Sequence, residues 1–202
     1  MPEPDTTRAD ALRKQHRTAR ANLPSSVQTA NATALAARIA GIAVFDAAQT
    51  VAAYIAIRGE IDLGPLLDHA STRGKSVFLP VLRGESMVFA AWTPGEPLVK
   101  RGMGLLEPEH ADTAQIAATD LDIVLAPLVV FDTHCQRIGQ GGGFYDRTFA
   151  FRKSNASRSP VLVGVAHDSQ REDKLSPMPW DVPLDMIATD KALYLREETG
   201  KS

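Results

Sequence analysis

The sequence predicts an α/β protein, a three-layer α/β/α arrangement around a mostly parallel sheet. Three observations carry this prediction. Short apolar runs of strand length alternate with longer segments of helical spacing, the order expected when strands are joined through helices. Those runs are nearly continuous, as in residues 123–131, so the strands have both faces covered. Four glycines within residues 139–143 follow an apolar strand and open a helical segment, the usual place for a ligand in such folds.

Taken in order, residues 1–9 are expected to be frayed. A first helix starts at Asp10, an acceptable N-cap, and runs through Arg20. Leu23-Pro24-Ser25-Ser26 ends it and starts a second helix over 27–41, which sets Leu35, Ile39 and Ile42 at helical spacing. Residues 51–57 read as a buried strand, 61–73 as a helix, and 76–82 and 86–92 as two strands. The most apolar stretch, 121–131, is a central strand running into a loop. Helix 144–153 follows the glycine turn, and 160–166 and 186–189 are the last strands. The whole reads as one domain over 10–197, with 198–202 frayed.

Composition narrows the function. The chain has 202 residues, 44% hydrophobic and 23% charged, which argues against global disorder. Lys+Arg is 22 against Asp+Glu 24, a net charge of -2, so no basic excess points to nucleic acid. No apolar run approaches the roughly 20 residues of a membrane span, and no apolar leader opens the sequence. The single cysteine, Cys135, excludes a disulfide within the chain and fits a reducing compartment. The expected location is therefore cytoplasmic. His16, His69, His110, His134 and His167 show no zinc-ligand spacing.

Four constellations can carry chemistry. The first is Arg137-Ile138-Gly139-Gln140-Gly141-Gly142-Gly143-Phe144-Tyr145-Asp146-Arg147. Its glycines let successive backbone N–H groups form an anion nest, with a helix start behind it and Asp146 placed to hold a phosphate-bound Mg²⁺. A glycine turn used for tight packing is the competing reading. Neither the dinucleotide nor the P-loop pattern is present. The second is Arg13, Arg17 and Arg20, which share one face of the first helix; they are either a solvated face or a cover for a nucleotide's phosphates. The third is Arg58-Gly59-Glu60-Ile61-Asp62 after a buried strand, where Glu60 could accept N–H groups of a heterocycle or be an ordinary loop residue. The fourth is Trp180-Asp181-Val182-Pro183-Leu184-Asp185, in which Asp185 is a second candidate metal carboxylate or a turn residue. Trp92 could stack on a ring or belong to the core, and Cys135 has no evident base to activate it.

Together these blocks resemble the 5-formyltetrahydrofolate cyclo-ligase family, also called 5,10-methenyltetrahydrofolate synthetases, over about residues 10–195. Leu12-Arg13-Lys14, residues 87–92, Gly102-Met103-Gly104-Leu105-Leu106-Glu107-Pro108 and residues 127–132 add to the likeness. The resemblance implies a sheet like those of sugar-phosphate isomerases and CoA transferases. It implies MgATP-dependent cyclisation of 5-formyltetrahydrofolate to 5,10-methenyltetrahydrofolate, with ADP and phosphate released.

It also implies roles. Arg13, Arg17, Arg137, Gly139, Gln140, Gly141, Gly142, Gly143, Phe144 and Tyr145 would hold ATP, with Arg137 and Tyr145 catalytic. Ile55, Glu60, Trp92 and residues 140–144 would face the folate. Asp146 and Asp185 would hold Mg²⁺. The expected partners are the two small-molecule substrates, with no nucleic acid or membrane, in a monomer or weak homodimer. The chain departs from the family pattern at Ala9 (usually basic, although Arg8 is adjacent), Cys135 (usually glycine), Phe144 (usually tyrosine) and His167 (often aromatic). Two other readings remain: a non-catalytic folate-binding homologue, and a sugar-phosphate or CoA-ester enzyme of the same architecture.

Overall fold

Pro24 separates the first two helices because its backbone, at φ -55° and ψ 143°, cannot continue a helix. In the computed structural model, which describes residues 6–112, 114–154 and 159–197, α1 spans Thr6–Ala21 and α2 spans Ser25–Ala40. Helix α1 therefore includes residues 6–9, expected to be frayed. Asp10 is not its cap but an internal residue whose carboxylate meets Arg13 Nη1 at 2.6 Å. The expectations for residues 1–5 and 198–202 lie outside the described residues.

After a short α3 (Ala43–Ala47) come β1 (Thr50–Ala52), α4 (Gly64–Thr72), β2 (Ser76–Arg83) and β3 (Ser86–Ala91). The chain continues through β4 (Leu98–Lys100), β5 (Leu106–Pro108), β6 (Gln115–Ile116), β7 (Ile123–Pro127), β8 (Val130–Phe131) and β9 (Arg137–Ile138). Then follow α5 (Phe144–Thr148), β10 (Val161–Ala166), β11 (Met186–Thr189) and β12 (Leu193–Leu195). The main sheet runs β12-β11-β10-β7-β1-β2-β3-β6. Its five central strands, β11 to β2, are parallel; β12, β3 and β6 are antiparallel additions at the edges.

Successive strand residues point to opposite faces, and this sorts the core into two layers. Ile123 and Leu125 of β7 pack with Val163, Val165, Leu35, Ile39 and Leu66, beneath α2 and α4. Val124 between them faces the other way, toward Phe89, Phe131, Phe149 and Leu162. Truncating one of these fully buried aliphatic residues to alanine costs about 2–5 kcal/mol. Among the described residues, no helix is long and apolar enough to cross a membrane.

The differences from the sequence reading have local causes. The strand expected over 51–57 ends at Ala52; Tyr54, Ile55 and Ile57 leave the ladder to wall a cavity. The stretch 121–131 breaks between β7 and β8, where the carbonyls of Leu128 and Val129 take side-chain donors from Arg20 and Gln170. The helix expected over 61–73 starts at Gly64, with Pro65 in its first turn. Helix 144–153 is the five-residue α5 followed by a 3₁₀ turn at Ala150–Lys153.

Strand β1 feeds through α4 to β2 on one side, and β7 joins it on the other. Connections thus diverge between β1 and β7. A crevice outside the carboxyl ends of the strands is expected there.

Candidate active site

That crevice is present as a cavity of about 370 Å³. Its walls include α1 through Leu12, Arg13 and Arg17; the stretch after β1 through Tyr54, Ile55 and Glu60; the loop 139–143 with the start of α5; Met178, Trp180 and Asp181; and Pro80, Leu82 and Met87 of β2 and β3.

Loop 139–143 makes its tight path because Gly141 and Gly143 sit at φ +99° and +65°, where side-chain-bearing residues are strained. A Cβ on Gly143 would lie 2.7 Å from Arg147 Nη1. Among the described residues, no protein acceptor takes the backbone N–H groups of 140–142. They are available to an anion. Because α5 has only five residues, the expected helix-dipole contribution is small, and the positive charge comes from arginines.

Arg13 Nε donates to Gly139 O at 3.0 Å. Arg17 clamps Gln140 twice, from Nε to Oε1 at 3.1 Å and from Nη2 to the backbone O at 2.8 Å. Burial, helped by Arg20, Arg13 and Arg58, holds Arg17 below the ordinary guanidinium range. Crowded cations of this kind are relieved by a polyanion.

On the far side of the loop, Asp146 Oδ1 accepts from Arg137 Nη2 at 2.6 Å and from Val182 N at 3.0 Å. Its Oδ2 has no protein partner among the described residues, so one oxygen is open to a hydrated cation. Asp181 faces the same cavity. Burial pushes its carboxyl up, the Met178 N–H opposes that, and the Asp146 charge adds to the rise.

Asp185 does not line the cavity. Arg152 Nη2 contacts it at 3.0 Å, and Leu162 N donates to its Oδ2 at 2.8 Å, so it braces the starts of β10 and β11. The structure thus brings Asp146 beside Asp181 and leaves Asp185 tied up.

Tyr145 lines the cavity and stacks on Phe149 at 6.2 Å. Burial and the Glu60 charge raise its phenol well above the tyrosine range, so near neutral pH it keeps its proton and can donate a hydrogen bond. Phe144 and Ile55 also line the cavity. Trp92 does not: its Nε1 donates to Glu96 O at 3.1 Å, and its ring packs on the α2–α4 side of the core. The tryptophan at the cavity is Trp180, 59% exposed. Glu60, 8% exposed, takes Gln140 Nε2 at 2.7 Å, Arg20 Nη2 at 3.3 Å and Ile57 N at 3.2 Å.

A cationic glycine loop and the buried Glu60 line one cavity, and comparison with known proteins decides the family. The profile of the 5-formyltetrahydrofolate cyclo-ligase family matches residues 5–190. The chain belongs to this family. It is similar to the cyclo-ligase of Escherichia coli strain K12, with 36% identity over 150 residues covering 73% of this chain and 81% of the relative. The Haemophilus influenzae cyclo-ligase is 31% identical over 183 residues, covering 89% of this chain and 96% of the relative. Among solved structures, the Aquifex aeolicus 5,10-methenyltetrahydrofolate synthetase superposes with a TM-score of 0.79 at 28% identity, covering 96% of this chain and 95% of the other. The Mycoplasma pneumoniae synthetase, at 23% identity and a TM-score of 0.71, shares the fold.

Membership makes this chain a ligase of folate one-carbon chemistry, and the departures from the family pattern become readable. The resemblance led to an expectation of glycine at position 135. Cys135 sits there at φ +62°, a conformation glycine adopts without strain. Its thiol is buried, donates to Tyr194 O at 3.4 Å, and is pushed up to about 11 by burial and Asp132, so it is no nucleophile. Ala9 lines the cavity beside Arg8, which also faces it. His167 is fully buried between Asn31 and Gly59 O.

The sequence reading gave Asp181 no role, and it grouped Arg20 with Arg13 and Arg17 on a face either solvated or covering phosphates, whereas Arg20 points inward to Arg58 O, Leu128 O and Glu60. Asp181 carried a weak signal, since it lies inside the quoted Trp180–Asp185 block. Arg20 was hidden because helical spacing cannot separate an arginine facing solvent from one facing inward.

Proposed function

We propose that this cyclo-ligase uses ATP to close 5-formyltetrahydrofolate to 5,10-methenyltetrahydrofolate, releasing ADP and phosphate. The observation that carries the proposal is the shared cavity. Open loop N–H groups and arginines form one wall, and a buried acceptor, Glu60, stands in another.

Ring closure must expel the formyl oxygen, which leaves badly as oxide or hydroxide. Transfer of ATP's γ-phosphoryl group to that oxygen makes phosphate the leaving group. N10 of the folate then forms the new carbon–nitrogen bond as the carbon–oxygen bond breaks, and the N10 proton leaves with the departing phosphate. For such a transfer the protein's work is positioning and charge stabilisation. The N–H groups of 140–142, Arg13 and Arg17 receive the phosphates. Arg137 is held by Asp146 and Val182 O so that its charge stays at the loop. Tyr145 donates its phenolic hydrogen to an oxygen of the reacting pair. Glu60 accepts pterin N–H groups, with Ile55 and Phe144 along the ring.

Mg²⁺, held at Asp146 Oδ2 with Asp181 nearby, would neutralise phosphate charge. Asp185 is assigned here to bracing the sheet.

The test is an assay of purified protein with MgATP and 5-formyltetrahydrofolate. Near-ultraviolet absorbance of the methenyl product should rise, and ADP should form only when both substrates are present. Folate binding without turnover would favour the non-catalytic reading instead.

A further inference from the structure

We infer that Arg20 is a positioning residue for folate recognition, acting through Glu60 without touching the ligand. This rests on the reading above that Glu60 faces the folate.

Arg20 is 1% exposed and does not line the cavity, whereas Glu60 does. Its guanidinium plane is fixed by two carbonyls from different segments: Nε donates to Arg58 O at 3.3 Å and Nη1 to Leu128 O at 3.2 Å. The remaining group, Nη2, reaches Glu60 Oε1 at 3.3 Å. An ionised carboxylate this deeply buried needs a partner, and Arg20 supplies it from behind.

The backbone enforces the same approach. Gly59 sits at φ +74°, and a Cβ there would lie 2.8 Å from Arg20 O and 2.9 Å from Ala21 Cα. The end of α1 is therefore pressed against the strand-end loop that carries Glu60.

Gln140 Nε2 meets the same Oε1 at 2.7 Å. Because Gln140 lines the cavity, its amide occupies the place a pterin N–H would take. Arg20 holds Glu60 on one side and leaves the other to be exchanged between Gln140 and substrate.

The experiment compares wild type with Glu60→Gln, Arg20→Met, Arg20→Lys and the double variant Arg20→Met/Glu60→Gln. Calorimetry titrates 5-formyltetrahydrofolate and MgATP separately. Glu60→Gln and Arg20→Met should each weaken folate binding by about ten- to a hundredfold, the range of a charge-assisted hydrogen bond. The double variant should be no worse than the worse single variant within about threefold, because both changes break one device. MgATP affinity should stay within about threefold throughout, which a general structural defect would not allow. Arg20→Lys keeps the charge but loses the two-carbonyl anchor, so it should fall in between.

If Arg20→Met does not fold, Arg20→Lys carries the test: its loss must disappear in the Glu60→Gln background. Arg20 variants that bind folate normally, losses that multiply in the double variant, or a parallel fall in MgATP affinity would each overturn the inference. If Glu60→Gln itself binds folate normally, the assignment of Glu60 to the folate is what fails.

Discussion

The two working walls of the cavity are built on opposite plans. The loop wall leaves donors open: the N–H groups of 140–142 have no protein acceptor among the described residues, and Arg17 is crowded by other cations. The Glu60 wall leaves little open, since both carboxylate oxygens are already met by Arg20, Gln140 and Ile57 N. An open cationic wall gains most from a ligand that brings charge. A satisfied wall instead offers a fixed pattern that only a matching donor can enter. The first plan suits a polyphosphate and the second a heterocycle, and Gln140, held by Arg17 and bonded to Glu60, belongs to both.

The largest effect should come from cutting the loop wall's carboxylate. Asp146→Asn removes the charge that orients Arg137 and would face Mg²⁺, and turnover should fall by about 10²–10³. Folate binding without ATP should be unchanged by calorimetry. A parallel loss of folate binding would erase the distinction between the walls.

A smaller effect is expected from Gly143→Ala. The new Cβ would be strained at φ +65° and would push aside Arg147, a flexible side chain, at a cost of about 1–2 kcal/mol. Initial-rate kinetics should show KM for ATP rising about tenfold while KM for folate holds.

The third prediction sharpens the comparison from the folate side. Burial holds His167 below its ordinary value, with Gly59 O as a partner that opposes the shift. The unfolded chain takes up this proton near pH 6.5, whereas the folded chain takes it up only at lower pH. The stability that His167 contributes as a neutral ring is therefore present above about pH 6.5 and is lost as pH falls below it. Denaturant titrations from pH 7.5 downward should show this loss, and His167→Phe should flatten it. An unchanged slope would remove His167 as the cause.

Much of the fold was legible in the sequence because parallel strands are short, continuous and apolar. Residues 76–82, 160–166 and 186–189 lie within a residue of β2, β10 and β11. What was missed has physical reasons. Strands β4, β6 and β12 have two or three residues and exist only through their antiparallel partners, so local pattern could not show them. The glycine loop was legible because its geometry demands glycine. Trp92 and Asp185, expected at the site, do not line the cavity, because a residue type at a strand end does not say whether its side chain meets the cavity or the frame. Arg20 shows the same limit in reverse: an arginine on a basic helix face is the most deeply buried cation in the described chain.

The most direct test of the account follows the oxygen. 5-Formyltetrahydrofolate labelled with ¹⁸O in its formyl group, incubated with the protein and MgATP, should yield inorganic phosphate carrying the label in step with methenyl product. Label released into water, with unlabelled phosphate, would contradict transfer of the γ-phosphoryl group to that oxygen and the reading of the loop as the place where the transfer occurs.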